Sequence, residues 1–312
     1  MDSNAKIYVA GHRGLVGSAI VRRLKDLGYD NIITASRREC DLTIPNSVNE
    51  FFYYERPEYV FDAAAKVGGI YANDTYSADF IYENLMIQNN LIDASRAYDV
   101  KKFLFMGSVC IYPKYAETPV KEESLLTGYL EPTNEAYAIA KIAGIKMCQA
   151  YYKQYGLKSV CIMPSNLYGP NDNFHPDNGH VIPAMIRKFT DNPEEVTFWG
   201  DGSPFREFMY ADDMADACIF LMKNETVYKG ELINAGSGDD ISIRDLAELV
   251  ADLIKYKGKI TWDTSRPNGT PKRPLDFSKI KALGWHPKYD LVTGLTKTIE
   301  WYKEYGHNRK SY

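Results

Sequence analysis

Lys6-Ile-Tyr-Val-Ala-Gly-His-Arg-Gly-Leu-Val-Gly17 is the stretch whose reading decides the fold. Its first five residues make a short buried strand. Glycines follow at positions 11, 14 and 17, and then Ala19, Ile20 and Leu24 line one face of a helix predicted over residues 15–27. Strand, glycine loop and helix in succession is the context in which a pyrophosphate sits on a helix N-terminus, the glycines letting the backbone turn tightly and approach it. The spacing is Gly-x-x-Gly-x-x-Gly, not the usual Gly-x-Gly-x-x-Gly. A glycine triplet also serves a plain strand-to-helix turn, but the flanking elements favour nucleotide binding.

Outward from this loop, a second strand at residues 31–35 ends in Ser36-Arg37-Arg38. An NAD enzyme usually carries an acid here for the ribose 2′-hydroxyl. Two arginines, with Arg13 inside the glycine loop, favour NADP, because a guanidinium fork suits a 2′-phosphate. Strands predicted at 59–65, 102–106 and 158–163 alternate with helices at 76–98 and 135–155. This alternation predicts an α/β fold, a doubly wound parallel sheet of the Rossmann kind. After Pro164 the composition shifts. Residues 166–179 read as a long loop rich in Asn, Asp, Gly and Pro, followed by a helix at 180–188 and a short strand at 196–199. Helices at 212–222, 242–256 and 291–305, with a strand at 232–234, complete a smaller mixed α/β region. The expected division is a cofactor domain over 1–165, joined by parts of 207–236, and a substrate domain over 166–312.

The composition bounds the function. Of 312 residues, 45% are hydrophobic and 25% charged, with a net charge of -4 and no long basic run. That is an ordinary globular chain and an improbable nucleic-acid binder. No apolar run is long enough for a membrane span, and the polar start lacks a signal-peptide layout. The five cysteines are scattered without a Cys-x-x-Cys pair, which argues against a metal site and for a reducing cytoplasm.

Chemistry concentrates at Glu135-Ala-Tyr-Ala-Ile-Ala-Lys141. Tyr137 and Lys141 are four apart and share a helix face. A phenol titrates near ~10, and a neighbouring ammonium is expected to lower it, making Tyr137 a proton donor to a developing alkoxide. The bland alternative is a surface lysine beside a half-buried tyrosine. Ser108 and Cys110 follow the fourth strand, beyond the carboxyl ends where doubly wound sheets bind ligands. Ser108 suits either a carbonyl contact or a turn cap, and Cys110 either packing or chemistry. Arg206 suits a phosphate or solvent, and Trp199 a base or the core.

Together the glycine loop, Ser108, Tyr137 and Lys141 resemble the extended short-chain dehydrogenase/reductase superfamily. Gly107-Ser-Val-Cys-Ile-Tyr-Pro113, Glu131-Pro-Thr-Asn-Glu-Ala-Tyr137, Asn166-Leu-Tyr-Gly-Pro-Asn-Asp-Asn-Phe-His-Pro176 and Gly179-His-Val-Ile-Pro-Ala184 narrow the likeness. It is closest to members that epimerise and then reduce a GDP-linked 4-keto-6-deoxy sugar, and it runs to Asp276. The resemblance implies that NADP is held by Gly11, His12, Arg13, Gly14, Leu15, Val16, Gly17, Arg37, Asp41, Leu42, Ala64, Gly107, Lys141, Pro164, Asn166, Leu167 and His180. It implies a reductase triad of Ser108, Tyr137 and Lys141, with Cys110 and His180 as epimerisation base and acid. Lys188, Trp199, Arg206 and Asp276 match positions that hold the sugar nucleotide. It also implies a homodimer through a four-helix bundle. Val109 stands where the pattern has a serine, removing that hydroxyl, and Ser165 stands where it has a threonine. Two rivals are a 4-epimerase that regenerates tightly held NAD and a non-catalytic NADP sensor. Cys110, His180 and the basic strand end argue against the first, and the intact triad against the second.

Overall fold

The computed structural model describes residues 1–175, 179–192, 194–266, 268 and 272–306. The hydrophobic runs form β1 (Ile7–Ala10), β2 (Ile32–Ile33), β3 (Tyr59–Asp62), β4 (Lys102–Met106) and β5 (Ser159–Pro164), and β9 (Lys229–Ala235) joins them. Their order is β2-β1-β3-β4-β5-β9, and every pairing is parallel. A parallel sheet needs both faces covered, which is why β4 is buried at all five residues rather than at alternate ones. Helices α1 (Leu15–Asp26) and α7 (Ala211–Lys223) cover one face, packing Ile20, Leu24, Met214 and Ile219 against Ile7, Val9 and Leu104. Helices α2 (Pro45–Glu55), α4 (Ser77–Ala97) and α5 (Glu135–Tyr155) cover the other, where Phe52, Leu91 and Ile145 meet Tyr8, Phe103 and Phe105. Between them α3 (Ile70–Thr75) follows the small-residue turn after β3. The strand expected at 31–35 shrinks to two residues, because β2 is an edge strand held by Ile7–Ile32 and Tyr8–Ile33 alone.

The remaining elements form a second core. Strands β6 (Asn166–Tyr168), β8 (Phe205–Tyr210) and β10 (Asp240–Ser242) make a three-stranded sheet, and β7 (Glu195–Trp199) pairs in parallel with β11 (Lys259–Asp263). Helices α6 (Val181–Asp191), α8 (Ile243–Ile254) and α10 (Leu291–Tyr305) pack over them through Ile186, Phe189, Leu246, Val250 and Leu295. Helix α9 (Ser278–Ala282) lies against β9. The expected loop at 166–179 therefore opens with a strand, since Asn166–Tyr168 finds a parallel partner in Phe208–Tyr210. Residues 176–178 of that loop lie outside the described residues.

Asp216 on α7 ties α1 to the segment that follows α9. Its carboxylate takes Arg23 from α1 at 2.7 Å, Lys288 at 3.0 Å and the Trp285 indole N–H at 3.1 Å.

Candidate active site

Gly11 lies at φ +75°, and a Cβ there would fall 2.6 Å from the Ala63 carbonyl oxygen. A Cβ on Gly17 would fall 2.2 Å from the Gly11 carbonyl oxygen. The end of β1, the first turn of α1 and the residue after β3 thus meet at backbone distance. Within the order β2-β1-β3, the chain leaves β1 on one side and returns on the other, so this is the topological switch point of the sheet. The N-cap of α1 is Gly14, with no side-chain cap. Its first N–H groups therefore face a cradle bare of side chains, which fits a dinucleotide pyrophosphate.

Around the cradle, Arg37 donates from Nε to Asp41 Oδ2 at 3.0 Å with its side chain 71% exposed, and Arg13 is also exposed. Asn90 holds the Leu42 carbonyl at 2.8 Å. Ala64 donates its N–H to Asp62. Burial, and then Arg13, push the His12 imidazole down. A Cβ on Gly107 would overlap the Met163 thioether. Pro164 ends β5, and Leu167 packs into the core from β6, beside Asn166, which donates to the Glu207 carbonyl at 2.8 Å.

The reductase candidates do meet. Ser108 caps the short 3-10 turn Val109–Ile111, its hydroxyl accepting the Cys110 N–H at 3.5 Å. Ser108 also favours the charged forms of the Cys110 thiol and the Tyr137 phenol. Lys141 is buried on α5, donating to the Met106 carbonyl at 2.9 Å, with its Nζ 5.9 Å from the centre of the Tyr137 ring. The expected lowering of the phenol by this ammonium is not what the geometry gives. Burial pushes Tyr137 up, and the Cys110 and Asp62 charges act in the same direction. A phenol that keeps its proton is equipped to donate it. The Cys110 thiol is likewise pushed up to about 11 by burial, against the Ser108 bond and the Lys141 and Arg273 charges, which favour the thiolate.

His180 is the N-cap residue of α6, with a half-exposed side chain. Its Nδ1 lies 3.7 Å from Asp172 Oδ1, and that carboxylate pushes the imidazole up. Lys188 sits on α6 with its Nζ 5.4 Å from the Phe198 ring centre. Trp199 ends β7 and is exposed, not part of the core, with the Arg266 guanidinium 5.2 Å from its ring centre. Arg206 on β8 donates to the Phe205 carbonyl at 2.7 Å. Asp276 accepts the Ser278 N–H at 2.7 Å and borders a cavity of about 310 Å³ that Glu207 also lines.

Three groups at the site were not singled out from the sequence. Asp62 ends β3 as a buried carboxylate whose Oδ2 has no partner among the described residues, and burial pushes it up to about 6. Glu207 is pushed up to about 7 by burial. Arg273 donates from Nη2 to the carbonyls of Tyr112, at 3.0 Å, and Pro113, at 2.6 Å. An acid ending a hydrophobic run was visible at Asp62; the other two are brought in by tertiary contacts alone. Among the described residues there is no group of three or more His, Cys, Asp or Glu able to hold a metal ion.

A Rossmann sheet with a glycine cradle at its switch point and a Ser-Tyr-Lys cluster beyond its fourth strand defines a short-chain dehydrogenase/reductase of the extended kind. The chain belongs to the NAD dependent epimerase/dehydratase family, whose model matches residues 7–236. It is similar to GDP-L-fucose synthase 1 of Arabidopsis thaliana, 55% identical over 313 residues that cover 99% of this chain and 96% of that protein. GDP-L-fucose synthase of Escherichia coli strain K12 is 49% identical, over 97% of this chain and 98% of its own. Among solved structures, a GDP-L-fucose synthetase from Naegleria fowleri bound to NADP superposes with a TM-score of 0.92 at 27% identity, over 99% of this chain and 95% of that one.

Proposed function

We propose that the chain converts GDP-4-keto-6-deoxy-D-mannose to GDP-L-fucose, inverting C3 and C5 and then reducing C4 with NADPH. The observation that carries this reading is the turn in which Ser108 accepts the Cys110 N–H, with Cys110 and Tyr137 both close enough for Ser108 to favour their charged forms. A plain ketone reductase needs the phenol and has no use for the thiol. The C4 ketone acidifies the protons at C3 and C5. At each carbon in turn Cys110 removes the proton as base, and His180, beside Asp172, delivers a proton to the opposite face. The enolate charge falls on O4, where Ser108 and Tyr137 donate hydrogen bonds. NADPH, when bound, supplies the hydride for C4. Reduction must come last, because it removes the ketone that makes the neighbouring protons acidic. Tyr137 then gives its proton to O4, and the buried Lys141 ammonium stabilises the phenolate left behind.

In the same reading, Gly11 to Gly17, Arg37, Asp41 and Leu42 hold the cofactor, and Lys188, Trp199, Arg206 and Asp276 hold the sugar nucleotide in a substrate domain spanning 166–312. Helices α4 and α5 lie side by side with Tyr82, Ile139 and Tyr155 exposed, which supports a homodimer built on a four-helix bundle. Five free cysteines support a cytoplasmic location.

The test is incubation with the 4-keto sugar nucleotide in deuterium oxide, followed at C3 and C5 by NMR. The parent exchanges both protons and, given NADPH, forms GDP-L-fucose. Cys110→Ala is expected to lose both exchanges. Parent-like exchange in that variant would remove Cys110 as the base.

A further inference from the structure

We propose that Arg273 is a positioning residue for Cys110, bracing the turn that carries the thiol and setting a positive charge beside it. The inference rests on Cys110 being the base. The turn Val109–Ile111 is followed at once by Tyr112 and Pro113, and both of their carbonyls accept from Arg273 Nη2. Arg273 reaches them from a segment nearly 160 residues away that is itself anchored. Val120 donates its N–H to the Pro274 carbonyl at 2.9 Å, and Asp276 donates to the Val120 carbonyl at 2.9 Å, making a parallel bridge between Val120 and Leu275. One short segment therefore carries Asp276 beside the cavity and Arg273 against the cysteine turn.

The charged and titratable groups around the thiol come from separate elements. Lys141 and Tyr137 face it from α5, Ser108 from its own turn and Arg273 from the Asp276 segment, while Glu131 and Tyr112 face Arg273 itself. Lys141 is shared with Asp62, whose charge acts on the same ammonium. Arg273 has no ion pair with a carboxylate within 4 Å among the described residues. Lys141 has none either, so each cation acts on the thiol with one carboxylate, Glu131 or Asp62, at longer range.

The test is the rate at which iodoacetamide alkylates Cys110, read by mass spectrometry across a pH series on the whole chain. The other four cysteines are fully buried and Cys110 only partly, so Cys110 is the thiol that reacts first. Only the thiolate reacts, so below its midpoint the rate follows the thiolate fraction at every pH. Arg273→Gln is expected to lower that rate roughly three- to ten-fold, a midpoint rise of up to about one unit, and Arg273→Lys to restore most of it. An unchanged alkylation profile in Arg273→Gln would overturn the proposal. NADPH binding reports folding. If the glutamine variant does not fold, Arg273→Met, which keeps the apolar stem, is read by the same two outcomes. The Cys110→Ala exchange experiment stays separate: its failure removes Cys110 as base, whereas the alkylation profile reads only what Arg273 does to the thiol.

Discussion

Ser108 stands beside both Cys110 and Tyr137 and favours their charged forms, while burial pushes both groups up. Tyr137→Phe keeps the ring that packs edge-on against Phe80, 6.3 Å between centres, and removes the proton. Hydride transfer is expected to fall by about 10²- to 10⁴-fold, the usual contribution of a positioned acid, with NADPH binding retained. Single-turnover loss of the reduced-nicotinamide absorbance measures it; a rate within a few-fold of the parent would mean that another group protonates O4. At the cradle, Arg37→Ala is expected to raise KM for NADPH well above any rise for NADH, because Asp41 holds the exposed guanidinium in place for a 2′-phosphate. Steady-state kinetics with both cofactors decides this, and equal rises would remove Arg37 from the phosphate site.

At the scale of elements, β1, the loop and α1 work because Gly11 and Gly17 touch. Gly17→Ala puts a methyl 2.2 Å from a backbone oxygen that cannot rotate away. It is expected to destabilise the fold by about 1–3 kcal/mol or more and to weaken NADPH binding further, since α1 must back away from the switch point. Urea denaturation and cofactor titration measure the two effects, and a parent-like Kd would argue against the pyrophosphate sitting there. This loop was legible because strand, glycines and helix adjoin in sequence. So was α5, bounded by Pro132-Thr-Asn134 and a left-handed Gly156. Of the strands of the second core, β7 was legible as the expected strand at 196–199, and the others were not. Phe205–Tyr210 is buried over its last four residues and shows no alternation, and Lys259–Asp263 becomes a strand only by meeting Glu195–Trp199 more than sixty residues away. For the same reason the Ser-Tyr-Lys cluster could be read from spacing and family likeness, whereas Asp62, Glu207 and Arg273 could not. Their roles depend on burial and on contacts across the fold.

For the whole molecule, pH acts through buried acids. Glu207 accepts the Gly238 N–H at 3.2 Å on β8 beside the cavity, and burial pushes it up to about 7 from an ordinary 4.5. A raised carboxyl pKa means that its contribution to stability is fully present below about 4.5 and is lost as pH rises through 7. The loss is of order 3 kcal/mol at most. Glu207→Gln stays neutral, so its stability is expected to decline less between pH 4.5 and 8 than the parent's. Chemical denaturation at a series of pH values checks this, and parallel curves for the two proteins would show that Glu207 does not titrate in that window.

The main sheet closes late in the chain. Its sixth strand, β9, and the helix α7 that covers Ile7, Val9 and Leu104 both lie after residue 210. While the ribosome is still making the second half, the nascent glycine loop and the first five strands present the part of one apolar face that α7 covers, and a free strand edge at β5. Both are surfaces on which unfinished chains stick to one another. Synthesis therefore passes through a stretch of elongation in which the cofactor half lacks that cover and that edge partner, until residues 211–235 have emerged and docked.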